Sequence, residues 1–145
     1  MSEKPKNTDI LLQIFVSAKG EPISPVQLQK VAFLVGDQCK DEELPEDYYE
    51  FKPYDYGPFN SQIYSDAEEL AAQGLVLIDL DSSGTRRQYR ATFKSRDEDM
   101  TAISQGVRNY IEQAVDWATS LTFRQLVSSI YEHYPQYKVN SVFRV

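Results

Sequence analysis

Phe51-Lys52-Pro53-Tyr54-Asp55-Tyr56-Gly57-Pro58-Phe59-Asn60-Ser61 is the stretch that decides how this chain folds. Aromatic rings flank an extended Lys-Pro step, and Gly-Pro follows. A residue before proline is pushed out of the α region. Pro58 has no backbone donor, and its fixed φ suits a turn or the first turn of a helix. Asn60 or Ser61 can then cap the helix that follows. The expectation is a rigid turn leading directly into a helix, with Tyr54 and Tyr56 presented there. Asp55 between them offers mixed stacking and hydrogen bonding. Against this stands a purely structural role, in which at least one of the two tyrosines is a core ring with its hydroxyl at the surface.

Upstream, residues 1–7 read as a loose polar tail. It has no apolar segment of the kind a secretory signal needs. Thr8 or Asp9 caps a first helix to Ala18, with Leu11, Ile14, Phe15 and Ala18 on one face. Lys19-Gly20-Glu21-Pro22 breaks it. Ser24 and Pro25 form an N-cap and first-turn pair. The second helix carries Leu28, Val31, Ala32 and Val35, a core-facing stripe. Residues 36–47 are acidic and read as a solvated loop. Tyr48–Tyr54 reads as a short strand.

Downstream, a third helix spans Asn60–Gln73, with Gly74 as its terminator. Leu75–Leu80 is an apolar-rich strand, Asp81-Ser82-Ser83-Gly84 a turn, and Arg86–Phe93 an alternating strand. Together these make a β-hairpin. A long fourth helix is expected over Asp97–Ala118, its buried stripe marked by Ile103, Val107, Tyr110, Ala114 and Trp117. A fifth starts at Thr122 and ends at Pro135. The fold class is therefore α+β and mostly helical, in a single domain. Residues 8–93 form a winged helix-turn-helix-like core with a hairpin wing, and 97–134 a C-terminal helical extension.

Composition bounds the function. The chain has 145 residues, 41% hydrophobic and 26% charged, ordinary for a soluble globular domain. Its net charge is -7, and its pI is about 4.7. Such a chain repels phosphates on average, which disfavours nucleic acid and anionic membranes as partners. No apolar run reaches the length of a membrane span. The single cysteine, Cys39, has no internal disulfide partner. A cytoplasmic location is the expectation.

Recognition helices bring Lys and Arg to DNA. Here no Lys or Arg occurs between Pro53 and Thr85, and the third helix carries Asp66, Glu68 and Glu69. The wing offers Arg86, Arg87 and Arg90 as a small basic patch for nucleic acid. The competing expectation is that these arginines are solvated and paired with nearby acids. Cys39 lies among carboxylates, which raise a thiol pKa, and His133 has no spaced nucleophile or metal partner. The acidic loop lacks the ligand spacing of a calcium site. No catalytic residue, metal or cofactor is therefore expected.

At Leu28-Gln29-Lys30-Val31-Ala32-Phe33-Leu34 and again at Tyr56-Gly57-Pro58, the chain resembles the Panacea domain, also called the SocA-like antitoxin domain. Ile63, Leu70, Gly74-Leu75 and Val76 stand where that pattern expects them. The resemblance covers residues 8–93. It departs at Phe33-Leu34-Val35-Gly36, where the family usually carries a tyrosine-containing apolar run. The resemblance implies a non-enzymatic protein that neutralises a toxin, or adapts one for proteolysis, in bacteria or their mobile elements. The expected partner is a basic, toxin-like protein, with Tyr54, Asp55, Tyr56, Phe59, Asp66 and Glu69 as the partner-binding set. The alternative is a winged-helix DNA-binding regulator acting as a homodimer through Arg86, Arg87 and Arg90.

Overall fold

Ser24 and Pro25 do start the second helix in the computed structural model, which describes residues 4–142. The Ser24 hydroxyl accepts from Gln27 N, and the Gln27 side chain accepts from Ser24 N at 2.9 Å, a reciprocal capping box. This helix, α2, spans Pro25–Gln38 and follows α1, Asn7–Ser17. Asp9 sits inside the first turn of α1 and accepts from Lys6 N at 2.9 Å, so the cap position is Lys6 and not Thr8 or Asp9. The expected tail is shorter too. Pro5 is buried, and Asn7 opens the helix while its amide donates to Asp47 O at 3.0 Å. Met1–Glu3 lie outside the described residues.

The acidic segment is not simply solvated. It continues α2 to Gln38 and then makes a 3-10 turn at Asp41–Glu43, with Leu44 buried. The next change is larger. Only Lys52–Tyr54 forms a strand, β1. It pairs antiparallel with β2, Gly57–Phe59, in the register Lys52↔Phe59, Pro53↔Pro58, Tyr54↔Gly57. Gly57-Pro58 is thus the returning strand of a small hairpin and not the start of a helix. Gly57 has φ +107, while Asp55 and Tyr56 keep negative φ. That is the pattern of a type I turn closed by a glycine bulge.

Helix α3 covers Gln62–Ala72, and the Asn60 side chain accepts from Gln62 N at 2.8 Å to satisfy its open end. It ends as expected at Gly74, φ +79. Leu75 N bonds to Leu70 O and Gly74 N to Ala71 O, a Schellman closure. Strands β3, Val76–Leu80, and β4, Arg87–Ala91, form the wing hairpin. Ile23 bridges to Tyr89 on the other side of β4, with both backbone bonds formed. This places β4 between the α1–α2 connection and β3, the strand arrangement of a winged helix. The expected Arg86–Phe93 strand is shorter than its alternation, and the apolar face of β3 is not fully covered. Leu77 and Leu80 are about half exposed, and Phe93 has left the strand for a 3-10 turn, 79% exposed under Arg96.

The expected long fourth helix is split. Asp97 ends the 3-10 turn that starts at Phe93, residues 98–104 are irregular, and α4 begins only at Gln105, where the Ser104 hydroxyl caps Val107 N, and runs to Thr119. Its buried face is Val107, Ile111, Ala114, Val115 and Ala118, so Tyr110 and Trp117 lie at the edge of the stripe. Helix α5, Phe123–His133, starts at the Thr122 cap as expected, and a Pro135–Lys138 turn follows it. The C-terminal helices are not a separate layer. Ile103, Ile111 and Leu126 share one core with Ile14, Leu28 and Ile63, each burial stabilising by about 1.5–3 kcal/mol. No helix among the described residues is long and apolar enough to cross a membrane.

Candidate functional site

The β1–β2 hairpin is held by three other parts of the chain. Gln29 of α2 donates to Asn60 O at 2.9 Å and accepts from Asn60 N at 3.0 Å. Lys30, one residue on, donates from Nζ to Pro58 O at 3.2 Å. Tyr131 of α5 packs its ring against Gly57, where a Cβ would stand 3.3 Å from the ring edge. The chain after α5 then laces along the tip, with Val142 N donating to Asp55 O at 3.0 Å and Asn140 Nδ2 to Pro53 O at 3.3 Å. Lys30 and Tyr56-Gly57-Pro58, far apart in sequence, are therefore one structural unit.

On this support the tip presents its rings outward. Tyr54 is 53% exposed and Tyr56 41%, so neither is the core tyrosine expected of at least one of them. Tyr54 stacks on Phe59 with centroids 4.8 Å apart, and Phe59 meets Tyr64 edge-on at 5.7 Å. Tyr56 stands edge-on to Phe123 at 5.2 Å. Between these rings and α2 lies a cavity of about 240 Å³ lined by Gln29, Lys30, Tyr54, Asp55, Phe59 and Tyr64. Lys30 is 3% exposed, and burial alone lowers its pKa to about 7.

The acidic part of the expected set divides. Asp66 accepts from the buried Tyr49 hydroxyl at 2.5 Å and from Gln62 Nε2 at 2.9 Å, so it braces the fold behind the hairpin. Burial, then this bond and the nearby carboxylates, push the Tyr49 hydroxyl far above its ordinary value. Glu69 is exposed on α3 and has no contact with the rings of the tip among those described. Glu68, four residues after Tyr64, shares the Tyr64 face and pairs with Arg87 at 3.7 Å. In the sequence, Lys30 stands out only within the family pattern and Glu68 only among the acids of the third helix, and Tyr64 does not stand out at all. The i, i+4 spacing of Tyr64 and Glu68 was visible, but nothing local to Lys30 signals that it reaches the hairpin.

The wing arginines are mostly engaged. Arg87 pairs with Glu68, and Arg90 donates to Gly20 O at 3.1 Å. Arg86 and Arg87 line a cleft of about 740 Å³ with Tyr56 and Phe123. Burial and Glu43 push the Cys39 thiol up to about 11, which leaves it unreactive. His133 Nδ1 is taken by Ser129 O at 2.9 Å. Among the described residues no group of three or more His, Cys, Asp or Glu could hold a metal ion. No protein-family model matches the chain, and neither does any curated protein or solved structure.

Proposed function

We propose that this chain is a protein-binding module, of antitoxin or proteolytic-adaptor type, that meets a basic protein partner with the tip of its β1–β2 hairpin. One observation carries the reading. A rigidly held turn displays Tyr54 and Tyr56 to solvent, and aromatic rings on a pre-ordered support are the usual anchors of protein interfaces, because little side-chain freedom remains to be lost on binding. Tyr54, Asp55, Tyr56 and Phe59 remain in the set. Tyr64 joins it through its contact with Phe59. Asp66 leaves it, because its carboxylate is committed to Tyr49. A net charge of -7 steers a cationic partner toward the chain.

A winged-helix arrangement raises DNA binding as a competing role. Only Arg86 of the wing trio has a side chain without a hydrogen bond or ion pair among the described residues, and α3 carries no cation, so this reading is the weaker. The test is affinity capture of the native partner with the wild type, Tyr56→Ala and Arg86→Ala. Tyr56→Ala is expected to weaken capture by about 2 kcal/mol, roughly thirtyfold, as for an interface hot spot. Arg86→Ala should change it little. The reverse order would sink the proposal. A salt-sensitive gel shift on duplex DNA that disappears in an Arg86/Arg87/Arg90 alanine variant would replace it with the DNA-binding reading.

A further inference from the structure

We infer that the cavity between α2, α3 and the β1–β2 hairpin captures the C-terminal carboxylate of a partner polypeptide, received by the Lys30 ammonium at its floor. This deepens the protein-binding reading and rests on it for the nature of the partner. The charge argument comes first. An ammonium has three donors, and Lys30 places one on Pro58 O at 3.2 Å. It forms no ion pair among the described residues, although it is 3% exposed. A buried cation without a counter-charge costs stability, and an anion brought into the cavity would remove that cost.

Size and shape select the kind of anion. About 240 Å³ is below the range of cofactor and drug pockets, and leaves room for one side chain with a terminal carboxylate but none for a nucleotide. The walls are Val26 and the rings of Tyr54, Phe59 and Tyr64, which suit an apolar terminal side chain. A chain end can enter a small cavity and reach its floor. An internal acidic residue must keep the backbone outside on both sides. Gly57 lies beside the ammonium, an added Cβ there standing 3.5 Å from Lys30 Cε and 3.6 Å from Nζ. Asp55 also lines the cavity and opposes free anions, as does the net charge of -7. A carboxylate delivered at the end of a basic chain meets both conditions, attraction at long range and pairing at the floor.

The test titrates the isotope-labelled full chain with the basic peptide N-acetyl-lysyl-lysyl-leucine, ending in a free carboxylate, and, separately, with the same peptide amidated at its C-terminus, followed by NMR slightly below neutral pH. The acid is expected to shift the Gly57 amide and the Lys30 side chain saturably, and to bind at least about tenfold more tightly than the amide. Lys30→Met should abolish the preference, and Tyr54→Ala, at an exposed wall position, should weaken the acid. Equal responses to acid and amide, no response to the acid, or acid binding unchanged in a folded Lys30→Met would overturn the inference. If the preference is absent while Tyr56→Ala still loses its protein partner, carboxylate capture falls and the hairpin reading stands. If the preference is present but Tyr56→Ala keeps its partner, the hairpin reading falls by itself.

Discussion

Replacing Lys30 by Met should change how the stability of this protein depends on pH. Lys30 is 3% exposed, and burial lowers its pKa from 10.5 to about 7. The folded pKa therefore lies below the unfolded one. Between the two values the unfolded chain holds a proton that the folded chain has released, so stability rises with pH across that window. Below about pH 7 both states hold the proton, and the folded state carries the full cost of a buried ammonium. From about pH 6 to about pH 9, close to two units lie above the folded value, which gives roughly 2.7 kcal/mol at 1.36 kcal/mol per unit. Lys30→Met removes this slope. It also leaves Pro58 O without its donor, a cost of about 1–3 kcal/mol that does not vary with pH. Asp55, Tyr54 and Tyr56 from the hairpin, Tyr64 from α3 and the neutral amide of Gln29 from α2 line the same cavity. Urea unfolding of both chains across this pH range reads the difference directly. The variant should gain on the wild type by roughly 2.7 kcal/mol as pH falls from about 9 to about 6. A difference that stays constant with pH, or that turns further against the variant at low pH, would refute the argument.

Two other substitutions probe how the hairpin is supported. Gly36→Ala lies within α2, where alanine ordinarily gains up to about 1 kcal/mol over glycine. Here the new Cβ would stand 2.8 Å from Tyr48 Cε2, and that ring is fixed by its hydroxyl bond to Ala32 O at 2.6 Å, so thermal unfolding should instead show destabilisation. Tyr49→Phe leaves Asp66 without its hydroxyl donor, and denaturant unfolding should show a loss of about 1.5–3 kcal/mol, typical of a hydrogen bond to a charged group.

Local chemistry made the helix ends legible. Ser24-Pro25, Thr122 and Gly74 act through bonds to residues a few positions away, so sequence reveals them. The wing hairpin was equally plain from its turn residues. Gly57-Pro58 was misread because a Gly-Pro step is compatible with either a helix start or a bulged strand. The choice was made by Gln29, Lys30 and Tyr131 docking on the hairpin from distant parts of the chain. The fourth helix is shorter than its apolar periodicity predicts for a related reason. Its apolar periodicity runs through Ile103, but the Ser104 cap interrupts it, and the true buried face passes through Ile111 and Val115 instead of Tyr110 and Trp117. Of the candidate site, the tyrosines of the tip were visible. The lysine beneath them and the commitment of Asp66 to Tyr49 were not, because both depend on tertiary contact.

Hydrogen–deuterium exchange of the chain, alone and with its captured partner, tests the central claim most directly. A partner seated on the hairpin tip should slow exchange over residues 52–59 and at Tyr64, and leave the wing strands β3 and β4 unchanged. Protection confined to the wing around Arg86, Arg87 and Arg90, with residues 52–59 exchanging as in the free chain, would contradict it.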